Sequence, residues 1–147
     1  MKAKYFLQLN KDRQINYIQN RRISNHFILQ IYPHVEKEVR DIIIRRQQIK
    51  KKTFALLPKD DMDMKTFCQL QEIVTDIEFA REWKDILDWE AISRRGDFSI
   101  EFIREFKKNI NWKTFTEWNN ARDDFRVNSI YYKNEFQKEF GDYCVQS

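Results

Sequence analysis

Between His34 and Leu57, Val35, Val39, Ile42, Ile49, Thr53 and Leu56 gather on one side of a helical wheel drawn at about 100° per residue. Lys37, Arg40, Arg45, Lys51 and Lys52 fall largely on the other side. That pattern predicts one long basic helix over about residues 34–57. Two positions break its rule. Arg46 points into the apolar face, where it needs a snorkelling path or a carboxylate, because a buried unpaired guanidinium is costly. Ile44 points into the basic face and is predicted to be an exposed contact. Upstream, Ile15 and Ile18 suit a short helix over about residues 11–22, while "KYFLQL" fits either helix or strand. Ser24 is a good cap for "NHFILQIY", and Pro33 suits a helix boundary. Pro58 and the acidic run "DDMD" end the long helix and offer caps to the next one.

The second half repeats itself. "IEFAREWKDILDW" at 77–89 returns as "IEFIREFKKNINW" at 100–112, with seven identities in thirteen positions. Asp76 and Ser99 are matching N-caps, and Glu78 and Glu101 follow in the first turn, where negative charge is favoured. Phe79 matches Phe102, and Trp83 matches Phe106, four residues on along the same face. Trp89 and Trp112 each open a further short helix. Fainter copies begin at Ser24 ("SNHFI") and Ser129 ("SIYYKNEFQK"), and "MKTF" at 64–67 matches "WKTF" at 112–115. The predicted fold is therefore all-α. It is a compact bundle of three to five short, irregularly spaced helix-turn-helix units, each using a neighbour to bury its aromatic face.

Composition agrees. Only two Gly and two Pro in 147 residues leave little punctuation for a many-stranded fold, and 22 aromatic residues supply a core. Charge divides the chain. Residues 1–55 hold 13 Lys and Arg against 4 Asp and Glu, and the remainder holds 14 against 19. This suggests a basic lobe over 1–57 and an acidic lobe over 58–147, within two lobes or one compact domain. The two halves either neutralise each other or face outside partners. The N-terminal apolar stretch is too short for a signal-peptide core, no run reaches a membrane span, and two distant cysteines suit a reduced compartment. A cytoplasmic protein is expected.

The run from Ser99 to Trp112 has the form S-x-x-F-I-x-x-F-K-x-x-I-N-W. It resembles degenerate tandem helical repeats in uncharacterised proteins of bacteriophages and large DNA viruses, over residues 76–118 here. The resemblance implies a phage or viral accessory protein of helical type, acting in host cytoplasm, with no inherited active site.

Enzymatic constellations are scarce. With glycine only at positions 96 and 141, no phosphate-cradling loop can be assembled. His26 and His34 lack an evident third ligand, and neither Cys68 nor Cys144 has a sequence-placed base. Asp61 and Asp63 read as helix caps in preference to a cation site, as do Asp123 and Asp124. No catalytic residue, cofactor or metal is expected. Arg21, Arg22, Lys37, Arg40, Arg45, Lys51 and Lys52 form the candidate binding face, with Ile44 and Trp118 as candidate anchors. Two functions follow. One is an anti-CRISPR-like inhibitor that occupies a surface of a host protein or protein–nucleic acid complex, partly by nucleic-acid mimicry. The alternative is direct DNA or RNA binding through the 34–57 helix.

Overall fold

Among the described residues, seven helices start at a polar side chain that accepts from a free amide of the first turn. The computed structural model describes residues 1–120 and 138–143, whose regular elements are all helices, with no strand among them. The helices come in pairs: α1 (Ala3–Phe6) with α2 (Lys11–Asn20), α3 (Asn25–Ile31) with α4 (Lys37–Arg46), and α5 (Lys51–Leu56) with α6 (Met64–Leu70). Then come α7 (Ile77–Trp83) with α8 (Trp89–Arg95) and α9 (Ile100–Phe106) with α10 (Trp112–Asn120); residues 138–143 are again helical. The second helices start after Asn10, Glu36, Asp63, Asp88 and Asn111, in steps of 23 to 27 residues. Ser24, Asp76 and Ser99 cap first helices by accepting from Phe27, Phe79 and Phe102 N–H at 3.0, 2.9 and 3.1 Å. Asn10, Asp63, Asp88 and Asn111 do the same for second helices. Most of these starts therefore carry a cap whose loss costs about 1 kcal/mol.

The chain divides into two compact units, residues 1–73 and 74–147. In the first, α3 packs on α1 and α5, while α4 packs on α2 and α6. Like helices thus stack on like. The loop after Pro58 lies inside this unit, because Gln71, just past α6, reaches back to the Ile44 and Gln47 carbonyls. In the second unit α8 packs on α10. Its copies match atom for atom: Trp89 and Trp112 indoles donate to the Lys84 and Lys107 carbonyls, each at 2.8 Å. Ser93 and Thr116 hydroxyls then donate to the Trp89 and Trp112 carbonyls. Gly96, at φ 69°, ends α8 in the left-handed conformation that glycine adopts without a Cβ clash.

Rings join the copies. Trp89 lies 6.1 Å from Phe102 and 5.1 Å from Phe106, so each tryptophan covers the following copy's phenylalanine face as the repeat implied. Trp112 stands likewise against Phe140, at 5.7 Å, and Tyr143, at 5.1 Å. This places Phe140 where the previous copy has Phe106, and Glu139 where it has Glu105. The alignment begun at Ser129 put Phe136 there instead. "KEF" at 138–140 thus stands where the previous copy has "REF" at 104–106. Asp123, Asp124, Ser129 and Cys144 lie outside the described residues; Cys68 is buried.

The single helix expected over 34–57 is instead α4 and α5, separated at residues 47–50. Tyr32–His34 forms a 3-10 turn, and α4 starts only at Lys37. At the break, side chains supply the hydrogen bonds that a continuous helix would have made. Gln71 Oε1 accepts from Ile49 N–H at 2.9 Å, and its amide donates to the Ile44 and Gln47 carbonyls, each at 2.7 Å. Asn25 accepts from Lys50 N–H and donates to the Gln48 carbonyl. With these backbone groups satisfied by side chains, the chain turns with little loss of hydrogen bonding.

Candidate functional site

The break redistributes the predicted basic face. Helix α4 is the middle of three stacked helices and is buried on two sides: Val39 and Ile43 fill one, and Ile44 the other. Ile44 is 1% exposed, so it is a core residue and not the surface anchor expected from the wheel. Arg46 is exposed, reversing the expectation for its side of α4, and Leu56 is 70% exposed because α5 starts a new phase.

Other predicted cations have local partners. Arg40 donates to the Val35 carbonyl at 2.6 Å, pairs with Asp61, and lies over the Tyr32 ring. It holds the loop before α6 and is no free handle. Burial pushes the Tyr32 hydroxyl up to about 12, with Arg40 pulling the other way, so the phenol stays neutral. Lys37 pairs with Asp41 one turn on, and the Arg21 guanidinium sits 4.7 Å from the centre of the Tyr17 ring. Lys51 and Lys52 are exposed in the first turn of α5. Asp63 caps α6 and also accepts from the Thr66 hydroxyl at 2.7 Å; that hydroxyl, then the Thr66 amide, hold its carboxyl below the usual range.

Arg22 and Arg45 come together with two residues that the wheel did not select, Arg46 and Lys50. They line a cleft of about 520 Å³ at the C-terminal ends of α2, α4 and α6, whose wall also includes Leu70 and Glu72. Two buried glutamines form its floor. Gln47 donates to the Ile18 and Arg21 carbonyls, at 2.8 and 2.7 Å, and accepts from Ile23 N–H at 3.0 Å. Gln71 repeats that arrangement one pair later. These amides answer the carbonyls at the ends of α2 and α4, so the arginines are not needed there. None of the four cations forms an ion pair among the described residues, and Glu72, which has other partners too, accepts a long bond, 3.3 Å, from Gln48. The arrangement offers forked, charged donors over a polar floor, which suits an anion.

The other anchor, Trp118, is in the second unit. It is 44% exposed, with the Arg94 guanidinium 5.4 Å from its ring centre and Arg94 paired to Glu90. Trp83, Trp89 and Trp112 are half-buried. Among the described residues no group of three or more His, Cys, Asp or Glu is placed to hold a metal ion, and no helix is long and apolar enough to cross a membrane. Compared with known protein families, curated proteins and solved structures, the chain matches none.

The sequence missed Arg46 and Lys50 because one continuous wheel was laid across residues 34–57. The signal lay in the cap spacing: the 12 residues from Asp76 to Asp88 and from Ser99 to Asn111 recur from Ser24 to Glu36. That spacing starts α4 at Lys37 and leaves room for a further pair before Asp76.

Proposed function

We propose that this chain is a non-enzymatic accessory binding protein that inhibits a host nucleic-acid-handling or defence complex by occupying its surface, in the manner of an anti-CRISPR. The observation that carries this reading is the separation of packing from charge. Aromatic and aliphatic side chains are consumed in joining helical pairs, and the charges are left outside with opposite balance in the two units. Residues 1–73 hold 15 Lys and Arg against 8 Asp and Glu, while 74–147 hold 12 against 15. A complex that carries nucleic acid presents complementary surfaces for both signs, phosphates for the first and a cationic groove for the second. The phage or viral setting rests on the resemblance of residues 76–118 alone.

The test is affinity capture of the tagged full chain from host lysate, with and without nuclease, followed by assay of the captured complex. One complex retained in both conditions, and inhibited by added chain, is the expected result. Recovery of no stable partner in either condition overturns the reading.

A further inference from the structure

We propose that the cleft at the ends of α2, α4 and α6 binds the phosphodiester backbone of single-stranded nucleic acid, without sequence preference. This rests on the binding role proposed above and deepens it: the chain grips the nucleic-acid component of its target through this cleft. Arg22, Arg45, Arg46 and Lys50 face one cavity, against the single carboxylate of Glu72. Three of the four cations are guanidiniums, whose planar forks match phosphate oxygens two at a time.

The cavity, about 520 Å³, belongs to the size class that encloses a small ligand or about one or two nucleotides. A duplex, whose major groove alone is about 12 Å wide, touches only the rim of such a cleft. Leu70, 53% exposed on the wall, supplies an apolar contact for a sugar or base edge. No aromatic ring is among the lining residues, so base stacking contributes little and the affinity is carried by phosphates. Gln47 and Gln71 have both ends of their amides engaged with backbone and are not available to read bases.

The experiment is a fluorescence-anisotropy titration of the full chain with a fluorescein-labelled single-stranded oligothymidylate at several salt concentrations. With about two phosphates held in the cleft, log affinity against log salt falls with a slope of about −1.4. Arg45→Ala with Arg46→Ala weakens binding about tenfold at low salt and roughly halves that slope. Glu72→Gln tightens binding severalfold, a change that damage to the fold does not mimic. Lys107→Ala with Lys108→Ala, at exposed positions of the second unit, leaves it unchanged. Polyglutamate does not displace the strand.

Three results overturn the proposal. One is absence of binding at low salt. Another is unaltered affinity in the double arginine variant, with helicity intact by circular dichroism. The third is equal competition by polyglutamate, which makes the cleft a carboxylate site. If the strand binds through the cleft but no host complex is captured, the inhibitor reading falls and the cleft stands. If a complex is captured and inhibited equally by the cleft variants, the reverse holds.

Discussion

The two units solve one problem, joining each helical pair to the next, with different chemistry. In residues 1–73 rings join the first two pairs, with Phe6 and Tyr17 against Phe27, but every pair is also tied to the next by a buried amide. Gln47 ties α4's end back to the backbone after α2, and Gln71 ties α6's end back to the backbone after α4. In residues 74–147 the joints are mainly rings, Trp89 against Phe102 and Phe106 and Trp112 against Phe140 and Tyr143, with one buried hydroxyl, Ser93, accepting from Asn111 N–H. A ring joint is stabilised by area and contact, so it tolerates another apolar shape. An amide joint depends on direction, because each hydrogen bond lost leaves a buried backbone group without a partner.

The largest expected effect is in the ring-joined unit. Phe106 is 2% exposed and lies 4.7 Å from Phe102 and 5.1 Å from Trp89, ring centre to ring centre. Phe106→Ala removes the centre of that joint and should cost about 3–5 kcal/mol in urea unfolding. Phe106→Leu keeps the apolar character and should recover more than half of the loss. If leucine is as damaging as alanine, the joint is specific to ring geometry and the contrast between the units weakens.

Gln71→Ala should cost about 2–4 kcal/mol by the same measurement. It strands the Ile44 and Gln47 carbonyls and the Ile49 amide, each at a typical penalty of about 1–3 kcal/mol, partly relieved by entering water. The sharper variant is Gln71→Met, which keeps the length and removes the directionality. It should be no better than alanine. Substantial rescue by methionine would mean that both units are held mainly by area.

This difference also explains what could be read from the chain in advance. The ring joints were legible: Phe79, Phe102, Trp89 and Trp112 recur in register, and aromatic residues are conspicuous in a sequence. The all-α class followed from the same repeat. The amide joints were not legible, because glutamine at positions 47 and 71 looks like any helix-surface residue until its partners, 22 to 29 residues away, are known. Missing Gln71 meant missing the break at residues 47–50, which put Ile44 outside and Arg46 inside. The candidate site suffered most. Arg22 and Arg45 were named, but a site built from three successive helix ends depends on where each helix stops. The exposure of Trp118 was legible because it breaks the repeat: the preceding copy has Arg95 at that place, so the ring is no part of the repeated packing set.

The smallest expected effect is from the ion pairs that run beside the ring joints. Arg81 donates to Glu105 at 2.7 Å and Arg104 to Glu139 at 2.6 Å, so each copy's arginine reaches the next copy's glutamate. Hydrogen bonds from these arginines, more than any other influence, hold the Glu105 and Glu139 carboxyls below the ordinary glutamate value. A folded-state value below the unfolded one stabilises the fold fully above the ordinary value, about 4.3, and that support is lost as pH falls through the lower, folded value. Both pairs are solvent-exposed, so screening leaves them weak at physiological salt. Arg104→Gln should therefore lower the melting temperature less than either joint variant at neutral pH and low salt. The deficit should shrink in high salt and vanish once the pH falls below the lowered, folded value, where the carboxylates of both proteins are protonated. A deficit as large as that of Gln71→Ala, or one that persists in acid and salt, would show that charge, and not ring area, carries the second unit's joints. Two such pairs in the same relative position follow from the repeated register and do not select it. The alignment begun at Ser129 sets another glutamate, Glu135, at that place, so charge alone does not separate the two alignments, and the stacking of Trp112 on Phe140 carries the choice.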